Sequence, residues 1–164
     1  ELIAAANPGA DRVGPAEVGP LLGDSGGVPP WDLTDAIDSG DTARSVELVR
    51  RMVGTGGRHP LQVMATLQTH YERMLRLDGS RVRDEKTAAA LLGIKGSAFP
   101  AKKAMTQSAR LGHAKLARAT RLLAQADMDL RGATANPPEA VMELLVARLA
   151  ALTRAAASRP RRGR

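Results

Sequence analysis

Residues 60–75, Pro60-Leu61-Gln62-Val63-Met64-Ala65-Thr66-Leu67-Gln68-Thr69-His70-Tyr71-Glu72-Arg73-Met74-Leu75, decide the fold class. Leu61, Met64, Leu67, Tyr71, Met74 and Leu75 recur at intervals of three and four, which places them on one stripe of an α-helix. Pro60 suits the first turn, where the missing N–H would have no partner. The same period governs the chain on both sides. Upstream, a short helix over Trp31 to Ser39 ends at Gly40. Asp41 then caps a second helix to Val53, with Val46, Val49 and Val53 on one face and Gly54 as its stop, so that the two read as a helical hairpin.

Downstream, a short helix over Asp84 to Leu92 stops at Gly93. Ser97 caps another to about Leu111, with Pro100 in its first turn, and Gly112 breaks it. The next runs from His113 to Arg131 with Leu116, Ala119, Leu123, Ala126 and Leu130 inward. After Gly132, the pair Asn136 and Pro137 opens a last helix that buries Val141, Leu144, Leu145, Leu149 and Leu152. About seven helices on short links, with no strand pattern and no repeat, predict an all-α fold, an antiparallel helical bundle.

Composition agrees. The 164 residues suffice for one domain, or one domain plus a fragment. They include 29 alanines and 20 leucines but one Trp, one Tyr and one Phe, so the core is aliphatic and carried on strong helix formers. Residues 1–30 differ: five prolines and the glycines Gly23, Gly26 and Gly27 leave room for a short helix near Ala16 to Leu22 at most. Trp31 and Tyr71 are read as core, Trp31 as a plug at the end of the first bundle helix.

Without cysteine, disulfides, thiolate zinc sites and cysteine nucleophiles are excluded together, and a reducing cytoplasm is the expected compartment. No apolar stretch approaches the roughly 20 residues of a bilayer span, and no signal-peptide pattern is visible, so no membrane partner is expected. The sequence opens on Glu1, and a piece of a longer polypeptide is expected. The net charge of +7 is uneven: residues 1–80 hold 7 basic and 11 acidic side chains, residues 81–164 hold 17 and 6. Arg154, Arg159, Arg161, Arg162 and Arg164 supply five of those positives, and residues 154–164 read as a disordered basic tail.

Catalytic motifs fail on context. Gly23-Asp24-Ser25-Gly26-Gly27 spells the surroundings of a trypsin-like nucleophile, but that chemistry needs packed β-barrels and a delivered His and Asp; here the string reads as a hinge. Gly54-Thr55-Gly56-Gly57 is followed by Arg58-His59, not by the Lys-Ser or Lys-Thr of a phosphate loop, and no strand precedes it. His59, His70 and His113 lack metal-ligand spacing. Asp127 and Asp129 point to different helix faces, whereas Asp127 and Arg131 are placed for an i,i+4 ion pair. No catalytic residue, cofactor or metal is expected.

Residues 87–110 resemble a helix-turn-helix, with Thr87-Ala88-Ala89-Ala90-Leu91-Leu92-Gly93-Ile94-Lys95 leading into a helix that carries Lys102 and Lys103. Such an element would make the chain a sequence-specific DNA-binding protein. Against it, Phe99 and Pro100 stand where base-reading side chains belong.

As a string, residues 29–153 resemble the C-terminal domain of the delta subunit of bacterial DNA polymerase III, in the clamp-loader family. Trp31-Asp32-Leu33-Thr34-Asp35-Ala36-Ile37 matches the family's aromatic-x-Leu-x-Asp-Ala opening. His59-Pro60-Leu61 through Tyr71-Glu72-Arg73-Met74-Leu75 matches its long third helix, and Ala89-Ala90-Leu91-Leu92-Gly93-Ile94 with Ala101-Lys102-Lys103 follows in order. Leu122-Leu123-Ala124-Gln125-Ala126-Asp127 with Leu130-Arg131-Gly132 matches Leu-Leu-x-x-Ala-Asp and Leu-Lys-Gly, Arg131 standing where Lys is frequent. The loop from Ala133 to Pro138 is short. The family-motif positions Trp31, Leu33, Asp35, Ala36, Tyr71, Gly93, Asp127 and Arg131 are then structural.

The resemblance implies a non-catalytic helical collar over residues 30–153, preceded in residues 1–29 by the end of an AAA+-like lid domain and a linker. It implies assembly with gamma/tau-type and delta-prime-type loader subunits through the collar, and sliding-clamp contact only through an N-terminal domain outside this sequence. Primer-template DNA would lie near the assembled complex, with Lys95, Lys102 and Lys103 as candidate phosphate contacts. No cofactor is implied.

Overall fold

The computed structural model describes residues 28–157. The expected short helix near Ala16 to Leu22, the glycine string 23–27, most of the lid-and-linker segment and residues 158–164 of the tail lie outside the described residues. All regular structure among the described residues is helical: α1 Pro30–Ser39, α2 Thr42–Val53, α3 Pro60–Leu77, α4 Glu85–Leu92, α5 Phe99–Met128 and α6 Pro138–Ala157. The two helices expected on either side of Gly112 are the halves of α5, bent where Gly112 takes φ 69° and ψ 165°. A π-helical turn, Asp129–Ala133, closes α5.

The caps follow from local chemistry. Asp41 accepts from the Arg44 N–H at 2.9 Å and Asp84 from the Thr87 N–H at 2.8 Å, each satisfying an orphan donor of a first helical turn. Ser97, expected as the cap of α5, stands one residue before the N-cap position, which Ala98 takes without a side-chain bond; its hydroxyl accepts instead from the Phe99 N–H at 3.2 Å. At the end of α4, Ile94 N–H donates to Ala89 O at 2.9 Å and Gly93 N–H to Ala90 O at 3.1 Å, with Gly93 left-handed, a Schellman arrangement. The glycine turn after α2 cannot cradle phosphate: Gly56 N–H and Arg58 N–H are spent on the Arg51 and Met52 carbonyls.

One core joins α1, α2, α3, α5 and α6, with Leu33, Ile37, Leu48, Leu67, Leu116 and Leu149 almost fully buried. α6 packs against α1, α2 and α5, with a smaller contact to α3. Its buried side chains are Val141, Met142, Leu145, Val146, Leu149, Ala150 and Thr153. Leu144 lies roughly 150° from the middle of that stripe at about 100° per residue, and it is exposed, not buried as its apolar character predicts. In α2 the inward face is Ser45, Leu48, Val49 and Met52; Val46 and Val53 are half-buried at its edge. α6 continues through Arg154 to Ala157, so the helix extends four residues into the stretch expected as tail.

A second, smaller cluster, Leu77, Ala88, Leu92, Ala101 and Ala104, fixes α4 to α3 and α5. Three of these five are alanines, so little apolar area holds α4 in place. In hydrogen exchange at neutral pH the amides of residues 85–92 should therefore exchange well before those of α3 and α6; equal protection would place α4 in the same cooperative unit.

Cationic side chains close helix ends across the bundle. Arg110 Nη1 donates to Asp38 O at 2.8 Å in the last turn of α1, and Arg76 Nη2 to Leu91 O at 2.6 Å in the last turn of α4. Arg50 pairs bidentately with Glu143, linking α2 to α6 at 2.8 and 2.7 Å, and the guanidinium holds the Glu143 carboxyl below its ordinary range. A carboxyl with a lowered folded pKa stabilises above its unfolded pKa and loses that contribution as pH falls through the folded one. Glu143→Gln should accordingly be the less stable protein at neutral pH and converge on wild type in acid; a constant gap down to acid pH would contradict this. No helix among the described residues is long and apolar enough to cross a membrane.

Candidate nucleic-acid interface and assembly face

The α4–α5 corner carries the three lysines singled out by the sequence, and the structure separates them. Lys95 is exposed on the link between the helices. Lys102 reaches Glu85 of α4 at 3.5 Å across the surface, a weak and salt-screened pairing. Lys103 is turned inward: its ammonium pairs with Asp35 of α1 and stands 3.5 Å from Asp38 Oδ2, and its side chain is 23% exposed. It is therefore a tie between α1 and α5, and of the three the least available to phosphate.

Asp38 organises that tie. Its side chain is 5% exposed, His70 Nε2 lies 2.9 Å from its Oδ1, and Lys103 approaches from the other side. A carboxylate this buried requires compensation, and Asp38 finds it on α3 and α5 together. His113 pairs with Asp78 at 2.6 Å, and His59 Nδ1 accepts from the Leu61 N–H at 3.2 Å as a cap. The three histidines thus serve three separate local structures, and no cluster of metal-ligand side chains occurs among the described residues.

The aromatic side chains divide unexpectedly. Tyr71 is buried as anticipated, and burial together with the Asp38 charge raises its hydroxyl pKa. Trp31 does not plug the bundle: it is 64% exposed, on the outward face of α1 with Asp35 and Ser39, while Leu33 and Thr34 of the same turn are buried. Phe99, at the N-terminus of α5, is 69% exposed. Lys95 and Lys102 lie four residues before and three after it in the chain, while Arg81, Arg83 and Lys86, on the preceding loop and α4, are exposed and have no ion-pair partner among the described residues. Sequence reading treated Phe99 only as an obstacle to base reading. The available signal was its position beside Pro100 in the first turn of a helix, where the inward positions are Ala101 and Ala104.

The corner has the outline of a helix-turn-helix, but its second helix begins with Phe99, Pro100 and buried Ala101, and its two lysines are paired with Glu85 and Asp35. The first turn of that helix carries no Asn, Gln or Arg to read base edges. Phosphate contact and stacking are what it can offer.

Of the remaining family-motif positions, Leu33 and Ala36 are buried in α1 and Asp35 holds Lys103. Gly93 caps α4, and Arg131 Nε donates to Asp127 Oδ2 at 2.9 Å, the i,i+4 pair read from spacing. Elsewhere, Leu122, Ala126, Val141 and Leu144 line a shallow groove between the second half of α5 and α6, rimmed by Gln125 and Arg148. Met128, at the end of α5, is 57% exposed and Leu144 49%. Of these two, Leu144 lines the groove and Met128 lies outside it.

Neither a curated protein nor a solved structure matches this chain. The family model described as DNA polymerase III delta subunit, C-terminal domain, matches residues 30–149, nearly the whole of the described bundle. That span covers well over half of the sequence, and the chain belongs to the family of C-terminal domains from DNA polymerase III delta subunits.

Proposed function

We propose that this domain is the helical collar of a clamp-loader subunit, a non-catalytic module in the bacterial cytoplasm that packs beside the equivalent domains of gamma/tau-type and delta-prime-type subunits. The observation that carries the reading is the family match along the bundle from α1 into α6. In support, the residues chemistry would need are committed elsewhere: the histidines and buried carboxylate to helix ties, the glycine-turn amides to α2. The domain would act by holding neighbours together while an AAA+-like domain preceding it grips the sliding clamp. Residues 1–29 then belong to the end of a lid domain and its linker.

The α5–α6 groove is the face assigned to a neighbouring subunit, and it separates assembly from folding. Leu144→Asp should leave the unfolding free energy within about 0.5 kcal/mol, as for a surface substitution, and abolish co-elution with the other loader subunits on gel filtration. A variant that assembles normally would remove this face from the interface.

Primer-template DNA would meet the α4–α5 corner, with Lys95 and Lys102 neutralising phosphates and Phe99 available to a base. In the isolated chain the arginines of residues 158–164 add non-specific, salt-sensitive binding. Lys95→Ala and Lys102→Ala should weaken binding to all sequences alike.

A further inference from the structure

This inference rests on the proposed DNA contact at the α4–α5 corner and extends it. Between the first turns of α1 and the middle of α3 runs an open groove of about 420 Å³, within the roughly 300–1,000 Å³ of small-molecule sites. Trp31 forms one wall; Thr66, Thr69, His70 and Arg73 form the other, and Thr34 lies between. Arg73 is the only permanently charged group lining it, and it has no ion-pair partner among the described residues. No carboxylate lines it: Asp32 and Glu72 point elsewhere than its walls, Asp38 stands behind His70 and Asp35 is paired with Lys103.

The floor of the groove reaches the corner through one buried side chain, Thr34. Thr34 Oγ1, in the groove, is 3.5 Å from Lys103 Nζ. The Asp35–Lys103 pair joins α1 to α5 at that point. Trp31 lies one helical turn before Asp35, and Phe99 one turn before Lys103. The chain's Trp and Phe thus each stand one turn before a member of one ion pair, and both are more than half exposed, while Tyr71 alone joins the aliphatic core. Stranding an indole and a phenyl in water on an aliphatic fold is a cost that a stacking partner removes.

We propose that the α1–α3 groove is a second contact for a single nucleic-acid strand, with a base stacked on Trp31 and a phosphate held by Arg73, in line with the contact at Phe99. An indole, an unpaired guanidinium and threonine hydroxyls make a sequence-tolerant single-strand site, because every base has a π-face and every nucleotide a phosphate. A protein segment is the competing occupant, but it would need acidic residues for Arg73 and gains nothing from the alignment with the basic corner.

Trp31 is the sole tryptophan, so its emission reports this groove alone. The full chain is titrated at low salt with fluorescein-labelled oligo(dT), following label anisotropy, and with unlabelled oligo(dT), following Trp31 emission. Binding is expected to quench Trp31 in step with the anisotropy rise. Arg73→Gln should weaken affinity and shallow the salt dependence by about one phosphate contact, and Trp31→Ala should weaken it at least about fivefold, the low end for a stacked base. Phe99→Ala should weaken binding yet leave Trp31 quenched at saturation. An anisotropy rise that Phe99→Ala weakens, with Trp31 emission unmoved, would overturn the groove while leaving the corner intact. A rise untouched by Phe99→Ala and by Trp31→Ala would overturn both, as would no binding at all. Emission unmoved by DNA but shifted by the other loader subunits would make the groove a protein contact instead.

Discussion

Leu67→Ala should lower the unfolding free energy by about 2–5 kcal/mol, the cost of truncating a fully buried leucine and leaving a cavity behind. Leu67 has no exposed surface and sits mid-way along α3, in the same cluster as Leu33, Leu48, Leu116 and Leu149. Relaxation is limited there because α3 is fixed at several points: Ser108 donates to Met74 O at 3.0 Å, and His70 is held by Asp38. Urea denaturation should show a lower midpoint with an unchanged slope. An unchanged midpoint would mean that the stripe from Leu61 to Leu75 is not the core of the isolated chain. Leu67→Ala and Leu144→Asp make opposite forecasts, one for stability and one for assembly.

Gly40→Ala should cost about 2–5 kcal/mol, combining about 1–2 for a left-handed residue with a Cβ and about 1–3 for overpacking. Gly40 has φ +80°, and a Cβ there would stand 2.9 Å from Arg154 N and 3.0 Å from Arg154 Cα. Those are backbone atoms of α6, so relief requires moving the helix. Gly93 provides the control: it is left-handed at φ +68°, but a Cβ there meets nothing within 4 Å. Gly93→Ala should therefore cost only the conformational part. Equal midpoints for the two variants would show that α6 does not press on the α1–α2 turn.

Helix existence, caps and stops were legible in the sequence because they are local: Asp41, Gly40, Gly54, Asp84 and Gly93 act on neighbours within a few residues. The bend at Gly112 was equally local. What was not legible depended on which helices lie on either side. Leu144 counts as apolar in any window, and only the completed stripe of α6 leaves it outside. Lys103 has the look of a surface lysine until α1 brings Asp35 to it from 68 residues away. Trp31 shares the outward face of α1 with Asp35 and Ser39, a period of four that reading the tryptophan as a helix-end plug passed over. The parts that point to partners are accordingly the ones that tertiary packing left over.

Assembly is the central claim, and the mass of the species formed on mixing tests it most directly. Wild-type chain combined with gamma/tau-type and delta-prime-type loader subunits, followed by gel filtration with light scattering, should give one species whose mass corresponds to a stoichiometric complex containing this chain. Leu144→Asp should elute as free chain from the same mixture. Wild-type chain that remains free of all loader subunits, yet binds one duplex sequence far more tightly than others, would contradict the collar reading.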